Sequence, residues 1–138
     1  MIVSKVAQLI KDRPLARAET DSSVSEACRI LCELDTGALI VTDNDELVGV
    51  LSERDVIRRL ICAGLAPADT KVTEIMTPLP QAMDAGGDVA QAIEIMRKGG
   101  FHHVPILDNG TPVGLLSADD IPEEYRMLLE RFKEMRGV

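Results

Sequence analysis

The 138 residues weigh 15.0 kDa, about the size of one domain, since domains run at roughly 100–200 residues. Apolar residues make up 46% and charged residues 28%, enough hydrophobic surface for a packed core and an argument against disorder. Twenty-three acids against 15 bases leave a net charge of −8; with no basic cluster, this speaks against nucleic acid or an anionic membrane as partner, and no apolar run approaches the ~20 residues of a bilayer span.

In chain order, residues 1–13 lack a basic start followed by an apolar core, so no secretory signal is expected. A short strand is expected near residues 15–19. After the polar run 20–23, Val24, Ala27, Cys28, Leu31 and Leu34 recur at helical spacing and predict an amphipathic helix. Residues 38–41 read as a strand, Asp43-Asn44-Asp45 as a turn, and residues 47–51 as a second strand. Ser52 then opens a helix carrying Ile57, Leu60 and Ile61. The segment A-G-L-A-P-A-D-T at 63–70 reads as a linker. The same order follows again. A strand is expected near 80–83. A helix follows Asp88, with Val89, Ala92, Ile93 and Met96 on one side and Gly99-Gly100 at its end. A strand at 103–107, a turn at Asp108-Asn109-Gly110, a strand at 112–116 and a helix opened by Ser117 complete it. Pro122 fits the first turn of a C-terminal helix reaching residue 135. Its Leu128, Leu129 and Phe132 stripe is a candidate surface for an effector protein.

The two halves are one pattern written twice. Shifted by 65, residues 24–56 lie over 89–121 without a gap. Ten pairs are identical: Val24/Val89, Ala27/Ala92, Ile30/Ile95, Asp43/Asp108, Asn44/Asn109, Val48/Val113, Gly49/Gly114, Leu51/Leu116, Ser52/Ser117 and Asp55/Asp120. Chance would give about two at ordinary residue usage. Each half falls below the ~70 residues that build a core with ease. The expected fold is therefore α/β (α+β): two pseudo-twofold-related repeats, each strand-helix-strand-strand-helix, packed through their small sheets. The division expected is residues 1–65, with the N-terminal segment, and residues 66–138, with the C-terminal helix.

Cys28, Cys32 and Cys62 are an odd set that suits a reducing, cytoplasmic setting. Cys28 and Cys32 stand one helical turn apart, as two metal ligands can, but no third ligand accompanies them. They are expected in the core, with Cys62 also packing and Met76, Met83 and Met96 filling gaps. Aromatics are limited to Phe101, Tyr125 and Phe132, so a pocket for a planar ring must be walled by aliphatic groups and backbone. No Gly-rich phosphate loop with Lys, no H-E-x-x-H and no nucleophile elbow occurs, so the chain is not expected to be an enzyme.

The chemistry-bearing motif is the repeated octapeptide, G-V-L-S-E-R-D-V at 49–56 and G-L-L-S-A-D-D-I at 114–121. It places a Ser between a strand and the first turn of a helix. Free N–H groups and a partial positive charge make such a turn an anion site. The hydroxyl can donate to a phosphate oxygen, and an Asp three residues on can accept from a sugar diol. The same residues also form a capping box, which is a purely structural role.

These octapeptides, together with I-M-T-P-L-P at 75–80, G-A-L-I-V-T-D at 37–43 and H-H-V-P-I-L-D at 102–108, resemble the cystathionine-β-synthase (CBS) domain. Over residues 1–121 the chain is similar to a tandem CBS pair, or Bateman module. The resemblance implies a regulatory module with two clefts between its repeats. Each takes an adenosine-containing ligand: AMP first, with ADP, ATP, NAD(H) or S-adenosylmethionine as alternatives, and no metal requirement. It also implies a homodimer formed through the helices. Carried over, one cleft joins Ser52, Arg54 and Asp55 to Pro80, Gln81, Ala82, His102, His103, Val104 and Pro105. The other joins Ser117 and Asp120 to Leu15, Ala16, Gly37, Ala38 and Leu39. The first cleft is favoured, because Ala118-Asp119 in the second stand where the first has Glu53-Arg54, and an Asp near a phosphate is unfavourable. His103, in a place where the family carries a basic residue, would be partly charged near pH 7 and would weaken phosphate binding as pH rises. The alternative is a protein-interaction or scaffold module with empty clefts.

Overall fold

A computed structural model describes residues 5–78 and 80–127. A short helix α1 (Val6–Ile10) leads through a turn into strand β1 (Arg17–Glu19) and helix α2 (Val24–Glu33). Strands β2 (Ala38–Asp43) and β3 (Glu46–Ser52) follow, and then helix α3 (Glu53–Asp55), continued by a π-helical stretch, Val56–Ile61. The expected linker is not featureless: it holds a 3₁₀ turn, Pro67–Asp69, where the buried Thr70 hydroxyl donates to the Ala66 carbonyl at 2.8 Å. Helix α4 (Val72–Ile75), strand β4 (Thr77–Pro78), strand β5 (Met83–Asp84), helix α5 (Val89–Gly99) and strands β6 (His103–Asp108) and β7 (Thr111–Ser117) complete the second half. After Ser117 there is only a 3₁₀ turn, Ala118–Asp120, before residues 123–127 become helical. The Leu128, Leu129 and Phe132 stripe lies outside the described residues.

The repeat is visible atom by atom. Ser23 Oγ accepts from the Glu26 N–H at 3.1 Å to start α2, and Asp88 Oδ1 accepts from the Gln91 N–H at 2.8 Å to start α5. Both helices end on a left-handed residue, Asp35 (φ 49°) in one and Gly100 (φ 67°) in the other. The two hairpins turn through paired positive φ angles, 50° and 69° at Asn44-Asp45 and 51° and 82° at Asn109-Gly110. That is the turn whose twist matches antiparallel strands. β2 pairs antiparallel with β3 and β6 with β7, and each pair shifts register at the equivalent place, Val41/Thr42 and Ile106/Leu107. β1 joins β2 in parallel and β5 joins β6 in parallel. One sheet runs β1-β2-β3-β4 and the other β5-β6-β7.

Two hydrophobic cores result, and each is closed by the opening helix of the other repeat. α4 opens the second repeat, yet Val72 and Ile75 are buried in the first core with Val24, Leu39, Val41 and Leu51. α1 opens the first repeat, yet Val6 and Ile10 are buried in the second core with Val89, Val104, Ile106 and Leu116. Backbone bridges mark the exchange at matching places, Ser23 with Lys71 and Lys5 with Asp88. The identical glycines explain themselves here. A Cβ on Gly49 would strike the Met76 thioether, and one on Gly114 would strike the Ile10 side chain. β3 and β7 are bare at these points so that the exchanged segments can lie close.

Met83 is buried in the second core, and Met76 and Met96 pack against the first and second cores respectively. The cysteines depart from expectation. Cys28 is half-buried against the first core, but Cys32 and Cys62 are exposed, because they fall at the edge of α2 and just past the π-helical stretch. All three are free thiols.

Candidate functional site

Both Ser–Asp pairs form as strand-to-helix joints. Ser52 N–H donates to Asp55 Oδ2 at 3.0 Å, and Ser52 Oγ accepts from the Asp55 N–H at 3.1 Å. In the second copy, Ser117 N–H donates to Asp120 Oδ2 at 2.7 Å, and Ser117 Oγ accepts from the Asp119 N–H at 3.2 Å. The capping arrangement is thus present in each repeat. It leaves each serine's own hydroxyl proton available to a ligand.

A cavity of about 540 Å³ opens between the repeats, and it is built around the second pair. The turn after α1 contributes Leu15 and Ala16, the start of β2 contributes Gly37 and Ala38, and the end of β7 with the 3₁₀ turn after it contributes Ser117 and Asp120. Ser52, Arg54, His102 and His103, assigned from sequence to the first cleft or its rim, line this same cavity. The strand pairings explain the convergence: Ala38 lies opposite Ser52 and His103 opposite Ser117. Ser52 of the first joint therefore reaches the cavity that holds Ser117 and Asp120.

Other sequence candidates fall elsewhere. Leu39, next to Ala38, points the opposite way by the alternation of a strand and is fully buried in the first core. Val104 is likewise fully buried in the second core, and Pro105 is buried opposite Leu115. Asp55, Pro80, Gln81 and Ala82 do not line the cavity; Gln81 is exposed and the other three are half-buried. The cavity thus gathers Ser52 and Arg54, expected in the first cleft, with the Ser117 and Asp120 of the second. The second cleft has its own cation, which the sequence comparison missed.

That cation is Arg13. Its guanidinium forks onto Asp120, Nη1 to Oδ1 and Nη2 to Oδ2, each at 2.8 Å, and Nη2 also donates to the Leu115 carbonyl at 2.7 Å. Arg13 lies outside the matched segments, so no spacing pointed to it. Asp12, at φ 62°, turns the chain after α1 and delivers it. Burial pushes the Asp120 carboxyl up, but hydrogen bonds from Arg13 and the Ser117 N–H, with the Arg13 charge, outweigh it and hold the carboxyl below the usual range. Asp55 has a weaker neighbour: Arg59 Nε is 3.8 Å from its Oδ1. Arg59 spends two further hydrogen bonds on the Ile75 and Met76 carbonyls, at 3.3 and 3.0 Å.

Among the charged groups of the wall, acids outnumber bases. Asp35, Glu53 and Asp119 join Asp120 against Arg13 and Arg54. His102 and His103 meet edge to face with ring centroids 5.3 Å apart. Burial pushes the His103 imidazole down, His102 adds to this, and Asp120, Asp119 and Asp55 pull it back only in part. His103 therefore gives up its proton more readily than a free imidazole, which works against the charge that the family's basic residue carries at this place. Among the described residues no three of His, Cys, Asp and Glu converge on a metal-sized site, and no helix is long and apolar enough to cross a membrane.

Two mirrored αβ repeats with a shared cleft define a class, and comparison with known proteins places it. The sequence matches the CBS domain family over residues 6–62 and 72–125, and the chain belongs to that family as a tandem pair, a Bateman module. It is 28% identical to a CBS domain protein from Pyrobaculum aerophilum complexed with AMP, with a TM-score of 0.79 over 91% of this chain and 96% of that one. It is 31% identical to a CBS-domain containing protein from Agrobacterium tumefaciens, with a TM-score of 0.75 over 85% and 95% of the two chains. A CBS domain-containing protein of Arabidopsis thaliana, CBSCBSPB2, is 30% identical over 118 residues, 83% of this chain, but the match spans only 22% of that longer protein.

Proposed function

We propose that the chain is a regulatory module, not an enzyme, that binds an adenosine nucleotide in the cavity built on Ser117 and Asp120. AMP is the first candidate, with ADP, ATP and NAD(H) behind it, and no metal is required. The observation that carries the reading is the 540 Å³ cavity joining that pair to the Leu15–Ala16 backbone and to Gly37–Ala38. Its volume falls within the roughly 300–1,000 Å³ of small-molecule sites. Likeness to a protein complexed with AMP supports the same ligand class. The acidic wall favours one phosphate over three, since each added phosphate charge meets Asp35, Glu53 and Asp119. Binding would act on an effector by favouring one state of the module or its assembly. The free thiols suit a reducing compartment such as the cytoplasm. The exposed Ile57 and Ile61 suit a homodimer face.

The competing reading is a scaffold module with an unused cleft. Its support is that Ser52, Ser117, Asp55 and Asp120 are already engaged within the fold. Calorimetric titration of nucleotide-free protein with AMP, ATP, NADH and S-adenosylmethionine separates the two. The expected result is saturable heat with AMP, lost in Gly37→Leu. A Cβ on Gly37 meets only Glu53 at ordinary contact distance, 3.7 Å, so this variant fills the cavity while the fold stands. Absence of heat with every ligand would leave the scaffold reading.

A further inference from the structure

If the cleft binds a nucleotide as proposed, Asp120 sets a condition on the nucleoside it accepts. A carboxylate offers about four lone-pair sites. At Asp120 the two guanidinium nitrogens of Arg13 take one on each oxygen, and the Ser117 N–H takes a third. One site is left, whereas a ribose 2′,3′-diol presents two O–H donors. The diol cannot seat both on Asp120 until Arg13 gives up at least one of its bonds. Asp55 carries no such fork: its one close partner is the Ser52 N–H, with Arg59 at 3.8 Å.

Releasing the fork strands a guanidinium in the mouth of the cavity. Its other close partner is the Leu115 carbonyl, which accepts from the same nitrogen. A neutral nucleoside brings nothing to replace the lost carboxylate. A nucleoside phosphate brings an anion able to accept the same two-pronged fork. The surrounding Asp35, Glu53 and Asp119 repel that phosphate, so Arg13 is the group placed to overcome them.

We propose that Arg13 is the residue that makes the second cleft select phosphorylated over unphosphorylated adenosine, by exchanging the Asp120 carboxylate for the ligand's phosphate. Arg13 thus holds the ribose acceptor shut until a ligand with a phosphate arrives.

The test measures AMP and adenosine affinities on the full chain, wild type, Arg13→Met and Arg13→Lys, with folding verified by circular dichroism. Met retains the aliphatic bulk and lacks the charge; Lys retains the charge and lacks the fork. In Arg13→Met the AMP-to-adenosine affinity ratio should fall about tenfold, the scale of one charge-assisted hydrogen bond, with adenosine binding more tightly than to wild type. Arg13→Lys should keep part of the preference, and it alone carries the test if the Met variant does not fold. A purely structural Arg13 would weaken both ligands alike, and a ratio unchanged in both variants while both ligands bind overturns the proposal and leaves the nucleotide reading intact. Absence of binding of either ligand to any of the three proteins overturns the nucleotide reading and this inference together.

Discussion

His103 links the site to pH through its surroundings. The charges of Asp120, Asp119 and Asp55 act on it to favour the proton, yet burial, aided by His102, dominates and lowers its affinity for the proton below that of a free imidazole. The unfolded chain takes up the proton near the ordinary value of 6.5, and the folded chain only at lower pH. Protons therefore favour the unfolded state below that value. His103 contributes stability that is fully present above pH 6.5 and is lost as pH falls through its folded value. The melting temperature should drop between pH 7 and pH 5.5, and His103→Gln should flatten that slope; an equal slope in the variant would contradict the burial argument. Asp120 acts in a lower window. Its carboxyl lies below 3.8, so the stability it confers with Arg13 persists above that pH and is lost on further acidification. Arg13→Met should unfold at higher pH than the wild type in an acid titration. The Ser–Asp joints were legible from sequence because they recur in both halves. Arg13 was not, since its meaning depends on a left-handed turn at Asp12 and a partner 107 residues away.

At the level of elements, the shift of 65 exposed α2, β2 and β3 and their counterparts α5, β6 and β7, because hydrophobic period and turn residues agree there. The exchanged helices escaped it. Lys5-Val6 and Lys71-Val72 match only at a shift of 66, and α1 and α4 are too short, at five and four residues, to show a period. Their partners left a trace nonetheless, in the identity of Gly49 and Gly114. Those glycines differ in what they would meet. Met76 is flexible and can give way, whereas Ile10 is β-branched and stiff. Gly114→Ala should therefore cost about 1–3 kcal/mol, the usual range for overpacking, and Gly49→Ala less. Chemical denaturation of the two variants measures this, and a larger loss at Gly49 would mean that Met76 is pinned.

For the whole molecule, the exchange means that neither half owns a complete core. Residues 1–64 alone would lack Val72 and Ile75, and residues 65–138 alone would lack Val6 and Ile10. Each fragment made separately should be unfolded by circular dichroism, and mixing them should restore the native spectrum in a one-to-one complex. Gly64, exposed at φ 72° with no atom within 4 Å of a Cβ, is a suitable place to divide the chain. Refolding of either fragment alone would show that the exchanged helices are dispensable.

The exchange also bears on how such a molecule diverges. Two separate copies of one repeat, each lending its leading helix to the other, would build this same architecture, and symmetry would force both clefts to be alike. Joining them by the segment 63–70 makes the association intramolecular and lifts that constraint. One Ser–Asp joint can then carry Arg13 over Asp120 while the other leaves Asp55 without a fork. A mutation now alters one cleft instead of two, so ligand preference can be tuned on one side while the other continues to hold the pair together.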